Sequence, residues 1–416
     1  MRGASARATA IGLTALLAGC TLSRPDYTTP AVHIGQEAFA RTLEAHTLST
    51  PVDGNRAQIL QNGDEIFPAM LAAIRGAKRT ITFANFVYED GGVADEMAHA
   101  LADRCRAGVQ VSVLVDAIGS SAMPKSHIRR LKAAGCDFAM YRSLSPFAIK
   151  RINHRNHRRI LVVDGHVGFT GGTGVGAQWM GNGRQANRWR QTDVRVEGPI
   201  VRFLQAAFAE NWRDTTGVLL GGDGYFPEPR RRGDVVVQSV KSSPASGAAE
   251  AYLLFLLAIE GARESIHLTN PYFVPDDEMA DALARAAQRG VDVSVIAAGA
   301  TTGFLDRLVR RASQAHFPRA AKAGVKIYEY GPALLHAKTL VVDGRWASIG
   351  SANLDNRSFA LNNELNLVFL DHRIAAQMTY LFRKDLKHAR RLEGDALKEG
   401  LGRLFFLPLI PLRDQL

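Results

Sequence analysis

The sequence predicts an α/β fold built from two copies of one unit, and three observations carry that expectation. Apolar residues at three- and four-residue spacing alternate with short apolar runs, the pattern of helices followed by strands. The periodic segments close on glycine, a helix-ending signal. The same order of segments also appears twice, offset by about 180 residues.

The repeat can be followed element by element. Ile74 to Ile81 (IRGAKRTI) matches Ile259 to Ile266 (IEGARESI), a helix end running into a strand. DEMAHALADRCRAGVQVSVL at 95–114 then matches DEMADALARAAQRGVDVSVI at 277–296, in each case a helix, a glycine and an alternating strand. LKAAGCDFAMY at 131–141 matches AAKAGVKIYEY at 320–330. Strands alternating with helices predict a largely parallel sheet. A segment rich in glycine, proline and charge, GGDGYFPEPRRRGD at 221–234, marks the boundary between units. The expected organisation is therefore residues 1–19 as a leader, 20–50 as a tether, 51–225 as the first domain and 226–416 as the second.

The 416 residues suffice for two domains with separate cores, and 46% hydrophobic with 22% charged residues excludes a disordered chain. Net charge is +11, or +9 once Arg2 and Arg7 leave with residues 1–19. That excess favours anionic partners, nucleic acid or a phospholipid surface. The start, MRGASARATAIGLTALLAGC, has two arginines and an apolar run too short to span a bilayer, which reads as a secretory signal. LAGC resembles a bacterial lipobox, so Cys20 is expected to be the lipidated mature N-terminus of a membrane-anchored lipoprotein facing the periplasm or cell exterior. Cys105 and Cys136 lie in apolar periodic segments and read as small core residues rather than a disulfide, although export would permit one. No cysteine or histidine spacing suggests zinc. LFFLPLIPL at 404–412 reads equally as a membrane-interface segment or as packing.

The polar residues at the strand ends point to chemistry. HAKTLVVDG at 336–344 carries His336 and Lys338 two apart, on one face of an extended chain, with Asp343 at its exit. HRRILVVDG at 157–165 repeats the phrase with His157, Arg159 and Asp164. A duplication kept for its core alone would not repeat polar strand ends.

The second copy, His336-x-Lys338-x4-Asp343 followed by Gly350-Ser351-Ala352-Asn353 and NNELN at 362–366, resembles the phospholipase D or HKD superfamily. TNPYFVPDDEM at 269–279, GSANLDNRSF, RILVVDG and VRVEGP resemble its bacterial cardiolipin synthase-like branch in particular. The resemblance covers roughly residues 55–390. It implies two α/β/α sandwich units related by pseudo-twofold symmetry, with both histidines at one cleft. It further implies a phosphatidyltransferase in which one histidine attacks phosphorus and the other serves the leaving and incoming alcohols. Lys338 and Arg159 would be the phosphate cations, and Ser351, Asn353 and Thr173 would bind substrate. Glu364 would orient His336, and Asp193 is the candidate partner of His157. Asp164 and Asp343 are expected to anchor turns.

Two positions depart from the family pattern: Arg159 stands for lysine, and Gly174 for the asparagine after the first motif. The expected partners are a phosphatidylglycerol-like anionic phospholipid and a membrane, with no nucleic acid, no cofactor and no metal. The expected state is a monomer whose two repeats complete one site. Readings kept beside transfer are a phospholipase D delivering the group to water, a nuclease, and a catalytically inactive lipid-binding lipoprotein. Trp189, Arg190 and Trp212 are candidates for a headgroup pocket or the core. The basic run Lys150, Arg151, Arg155, Arg158 and Arg159 is expected to attract phosphate.

Overall fold

The computed structural model describes residues 27–143, 153–243, 249–299, 304–394 and 397. The leader, the lipobox cysteine, Lys150, Arg151 and the apolar C-terminal segment lie outside the described residues.

Each half contributes the same seven strands in the same order, and the second adds β19 at its edge. In the first half these are β1 (Val52–Gln61), β2 (Thr80–Asn85), β3 (Gln110–Asp116), β4 (Asp137–Tyr141), β5 (Ile160–Val163), β6 (Val167–Gly171) and, after the two-residue β7 (Trp189–Arg190), β8 (Thr192–Glu197). The second half has β9 (Val235–Ser242), β10 (Ser265–Thr269), the short β11 (Phe273–Val274), β12 (Asp292–Ala298), β13 (Lys326–Tyr330), the short β14 (Leu334–Leu335), β15 (Thr339–Val342), β16 (Trp346–Gly350), the short β17 (Leu354–Asp355), β18 (Glu364–Phe369) and β19 (Ala389–Arg391). The short strands pair separately, β11 with β17 and β14 with β7, and the others form one sheet in the order β19-β13-β12-β10-β15-β16-β18-β9-β1-β8-β6-β5-β2-β3-β4. Outward from the central antiparallel pair β9 and β1, both arms carry matching strands. That order is the pseudo-twofold expected of a duplicated unit.

The sheet is mixed rather than largely parallel. Only β2-β3-β4 and β10-β12-β13 run parallel, connected through helices. The motif strands are hairpins instead: β5 pairs antiparallel with β6, and β15 with β16. The Asp-Gly pairs force this. Asp164 and Gly165 adopt φ of 53° and 65°, and Asp343 and Gly344 adopt 54° and 59°, the left-handed backbone of a tight hairpin turn. Each aspartate also pins its hairpin to the next strand. Asp164 accepts the amide hydrogens of Lys78, Arg79 and Thr80, and Asp343 those of Arg263, Glu264 and Ser265. The expected anchoring role thus extends beyond the turn to the start of β2 and β10.

Helices cover both faces. Helices Asn62–Gly76, Gly92–Arg106 and Lys125–Ala133 shield the outer face of the first arm around Phe67, Met97 and Val113. Helices Glu250–Glu260 and Asp277–Gln288 do the same for the second around Leu254, Leu283 and Val295. The opposite face is shared. Helices Val201–Thr216 and His372–Leu386 pack Leu204, Phe208, Ile374 and Met378 with strand residues of both arms, Val194 and Val341 among them. This common layer holds the halves together and fixes how their strand ends meet.

Cys105 and Cys136 form a disulfide with Cα atoms 5.5 Å apart, contrary to the reading of two separate core thiols. Packing of helix Gly92–Arg106 against helix Lys125–Ala133, which Cys136 follows, brings them together, and apolar periodicity alone does not reveal it. Trp212 is a core residue, stacked on Phe208 with ring centres 5.7 Å apart.

Candidate active site

The two histidine segments cross between halves. The backbone N–H of His157 donates to the carbonyl of Asn363 at 3.0 Å, and that of His336 donates to the carbonyl of Arg190 at 2.8 Å. Short bridges, Asn156 to Asn363 and Leu335 to Arg190, run beside them. Each histidine is therefore held by the chain just before β8 or β18 of the other half.

The side chains follow the same exchange. His157 Nδ1 lies 2.8 and 3.0 Å from the two carboxylate oxygens of Glu364. His336 Nδ1 lies 3.3 Å from Nε2 of Gln191. The expected pairings are corrected on both counts: Glu364 serves His157 rather than His336, and Asp193 does not contact His157. Asp193 instead accepts the amide hydrogen of Gly172 at 3.1 Å, bracing the turn after β6. Asn366 does the equivalent work in the second half, its Oδ1 accepting from Ala352 N at 3.3 Å. Strand register explains the error. Gly171 lies opposite Asp193 and Gly350 opposite Asn366, so the residue matching Glu364 is Gln191, two positions upstream of Asp193.

Both imidazoles are nearly enclosed, His157 6% and His336 5% exposed. Lys338 and Arg159 are buried beside them, and each is anchored on its own histidine's carbonyl: Lys338 Nζ donates to His336 O at 2.6 Å, and an Arg159 Nη donates to His157 O. Burial, then the Arg159 and Lys338 charges, hold His157 well below its usual pKa. For His336 the same two cations act after burial, Lys338 first. Burial likewise lowers Lys338, chiefly with Arg159. Two cations with lowered proton affinity in a closed site form a receptor for an anion that brings its own negative charge.

Glu364 is fully buried, and burial pushes its carboxyl up to about 7. Ser351 donates its hydroxyl to Glu364 and accepts the Leu365 amide at 3.0 Å. The serine expected to bind substrate is thus committed to holding the acid. Asn353 keeps a buried Oδ1 without a hydrogen-bond partner, and its backbone amide donates to Ser358 Oγ at 3.0 Å. Thr173 is buried next to Asp193 and helps hold down that carboxyl, which burial pushes up to about 6.

The departure at Gly174 has a steric cause. A Cβ there would stand 2.6 Å from the Trp179 ring, so the indole occupies the space an asparagine needs. Trp179 packs on Trp189 with centroids 4.4 Å apart, and Trp189 lies 4.9 Å from the His336 ring. Trp189 is thus a wall of the site. On the other side the Phe86 ring meets His157 edge-on at 5.0 Å and lies 5.6 Å from the Arg159 guanidinium. Phe86, Trp179 and Gln191 were not singled out from sequence, although Phe86 follows β2 as Tyr272, 6.4 Å from His336, follows β10.

The basic run is structural where it is described. Arg155 forms a buried ion pair with Asp116 at 2.9 Å, and Asp116 also accepts the Asn156 amide, fixing the approach to His157. Arg158 is buried and donates to the carbonyls of Glu364, Ala207 and Ser242 and to Asn211. Arg190 pairs with Asp385. Of the described members of that run, Arg159 alone faces the histidines.

A family model described as cardiolipin synthase, PLD-like domain matches residues 70–193 and 255–386. Cardiolipin synthase A from Pseudomonas syringae pv. syringae is 38% identical over 341 residues, spanning 81% of this chain and 70% of that one. Cardiolipin synthase A from Pseudomonas putida is 36% identical over 348 residues, spanning 82% and 70%. The crystal structure of phosphatidylserine synthase from Haemophilus influenzae superposes with a TM-score of 0.66 at 14% identity, covering 91% of this chain and 99% of that one, a likeness of fold.

Proposed function

The chain belongs to the cardiolipin synthase, phospholipase D-like family, and from that premise we propose that it joins two phospholipids through a phosphohistidine formed on His157. It is a phosphatidyltransferase of the phospholipase D superfamily. Cardiolipin, made from a phosphatidylglycerol-like donor and a second lipid alcohol, is the product this reading assigns.

The observation that carries it is the 2.8 Å contact between His157 Nδ1 and Glu364. A carboxylate can only accept, so it holds hydrogen on Nδ1 and leaves the Nε2 lone pair free to attack. The P–Nε2 bond forms as the bond from phosphorus to the leaving glycerol oxygen breaks, its electron pair going to that oxygen. Glu364 offsets the positive charge the phosphorylated imidazole acquires, and His336 supplies the proton the oxygen needs. Lys338 and Arg159 hold the phosphate oxygens. The acceptor alcohol then attacks phosphorus, and His157 leaves. The nearly enclosed histidines favour a lipid acceptor over water, because a closed site limits hydrolysis of the intermediate.

The anchor reading joins this proposal. The Cys105–Cys136 bond suits an oxidising compartment, as expected of an exported chain lipidated at Cys20. No described helix is long and apolar enough to cross a membrane. Because one chain supplies both histidines, the proposed working state is a monomer on a membrane surface.

Lipid mass spectrometry of cells expressing the protein or its His336→Ala variant tests the reading, with cardiolipin expected to rise only with the wild type. Rapid quench with labelled phosphatidylglycerol in excess chelator should trap acid-labile, alkali-stable label on His157. Phosphatidic acid as the sole product would replace transfer by hydrolysis, and activity restored only by magnesium would overturn the metal-free mechanism.

A further inference from the structure

The two histidines differ in the group that faces Nδ1, and the difference has a consequence for the proton. Gln191 Oε1 accepts the backbone N–H of Thr192 at 3.1 Å. A backbone N–H can only donate, so the amide oxygen is fixed there and Nε2 is turned toward His336 Nδ1 at 3.3 Å. An amide nitrogen also only donates, so His336 Nδ1 must accept with its lone pair. The hydrogen of the neutral ring then stands on Nε2. At His157 the carboxylate of Glu364 enforces the opposite tautomer.

We propose that Gln191 is a positioning residue that fixes His336 as the Nε2–H tautomer, so that one phosphodiester meets a lone pair from His157 and a proton from His336. This assignment rests on the phosphatidyl-transfer reading above. It makes the neutral His336 imidazole the acid of the first step. As His157 Nε2 bonds to phosphorus and the leaving oxygen takes the P–O electron pair, the His336 Nε2 proton passes to that oxygen. The imidazolate left behind keeps the Gln191 N–H on Nδ1 and the Lys338 and Arg159 cations beside it. In the second step the acceptor hydroxyl returns a proton to His336 Nε2, its oxygen bonds to phosphorus, and the P–N bond breaks.

A neutral imidazole is a weak acid, but its acidity is matched to an alkoxide leaving group rather than to a carboxylate. The surroundings favour this form. Lys338 two residues on, Arg159 just before β5, His157 across the site and Tyr272 at 6.4 Å face His336, and the first three disfavour an imidazolium there. The carbonyl of Gly172 also lies against the ring and works in the opposite direction. The local sequence fits the amide closely. A Cβ at Gly172 would stand 2.5 Å from Gln191 Nε2, and Ser351 occupies the matching point of the other half, where it holds Glu364 instead.

Nitrogen-15 NMR of the full chain, labelled at histidine and assigned with a His336→Asn variant, reads the tautomer in the resting protein without reference to activity. The expected result is Nε2–H on His336 and Nδ1–H on His157. Hydrogen on Nδ1 of His336, shared with the Gly172 carbonyl, overturns the proposal while leaving the transfer reading standing. Gln191→Glu provides the kinetic arm. A carboxylate there takes the Nδ1 hydrogen, so His336 must become an imidazolium to act as acid. The kcat profile should gain a descending limb at lower pH than the one that loss of the Lys338 charge gives the wild type, with about a tenfold or greater loss above it. Gln191→Met, which keeps the volume and removes the N–H, should lower kcat without adding the limb. A Gln191→Glu profile of wild-type shape in a folded protein refutes the assignment.

Discussion

The two histidine sites start from one repeated phrase and end with different chemistry. Around His157 stand a carboxylate, a serine that holds it, an arginine and a phenylalanine edge. Around His336 stand an amide, a glycine that makes room for it, a lysine and a tryptophan. The scaffold hardly differs, since both hairpins turn on Asp-Gly and both aspartates collect the same three amides. Duplication supplies two equal positions; divergence of the groups that face each ring is what the proposed division into attack and proton transfer rests on.

The comparison breaks most severely if either histidine is dispensable. His157→Ala and His336→Ala should each lower transfer by about 10⁴-fold or more, because the residues act as one unit. A folded variant retaining a tenth of the activity would mean the sites work separately.

Next in size is Glu364→Gln, which places an amide opposite both histidines. Loss of the group that sets the tautomer costs on the order of 10²–10⁴ in kcat by analogy with buried acids of catalytic triads. Because burial raises the Glu364 carboxyl to about 7, wild-type activity should climb as pH rises through that value and the carboxylate forms. The climb should be absent from the residual activity of Glu364→Gln. An unchanged limb would assign the titration to another group.

A third contrast lies away from the cleft. The first half carries the Cys105–Cys136 bond across 31 residues of sequence, whereas the matching positions of the second half are Ala287 and Val325. Breaking it with a Cys105→Ser, Cys136→Ser double variant should cost roughly 3–4 kcal/mol of stability by loop-closure entropy, measured by denaturant unfolding with little change in kcat. Equal stability with and without reductant would remove the bond from the comparison.

The smallest expected effect is Arg159→Lys, which makes the two cations alike. Lysine keeps the charge and loses the planar fork, so transfer should fall by about tenfold or less. A loss as deep as that of the histidine variants would make the guanidinium geometry itself indispensable.

Much of this site was legible in the residues. The strand–helix alternation and the 180-residue offset marked two α/β units, and the repeated motif marked His157, Arg159, His336 and Lys338, because a chain must spell its strand ends locally. Glu364 was marked as well, but with the wrong partner. Which half a side chain faces depends on how two units pack, and local spelling carries no record of that. Gln191 escaped notice because an acid was sought and Asp193 stood two residues away. The first half carries a longer connection from β6 to β8, 20 residues from Gly171 to Gln191 against 14 from Gly350 to Glu364, which hides the correspondence until strand register restores it.

By itself, then, the chain's spelling determined the unit, its duplication, the Asp-Gly hairpins and the imidazole and cation inventory. All of these follow from short-range periodicity and turn chemistry. Only the tertiary structure decided that the histidine segments cross between the halves, giving His157 the carboxylate of the second half and His336 the amide of the first. Packing within the first half closed the disulfide and paired Arg155 with Asp116, while Arg158 was spent on buried carbonyls of both halves. A hydrogen bond between residues 207 positions apart is set by how the two arms of one sheet pack, and no local pattern encodes it.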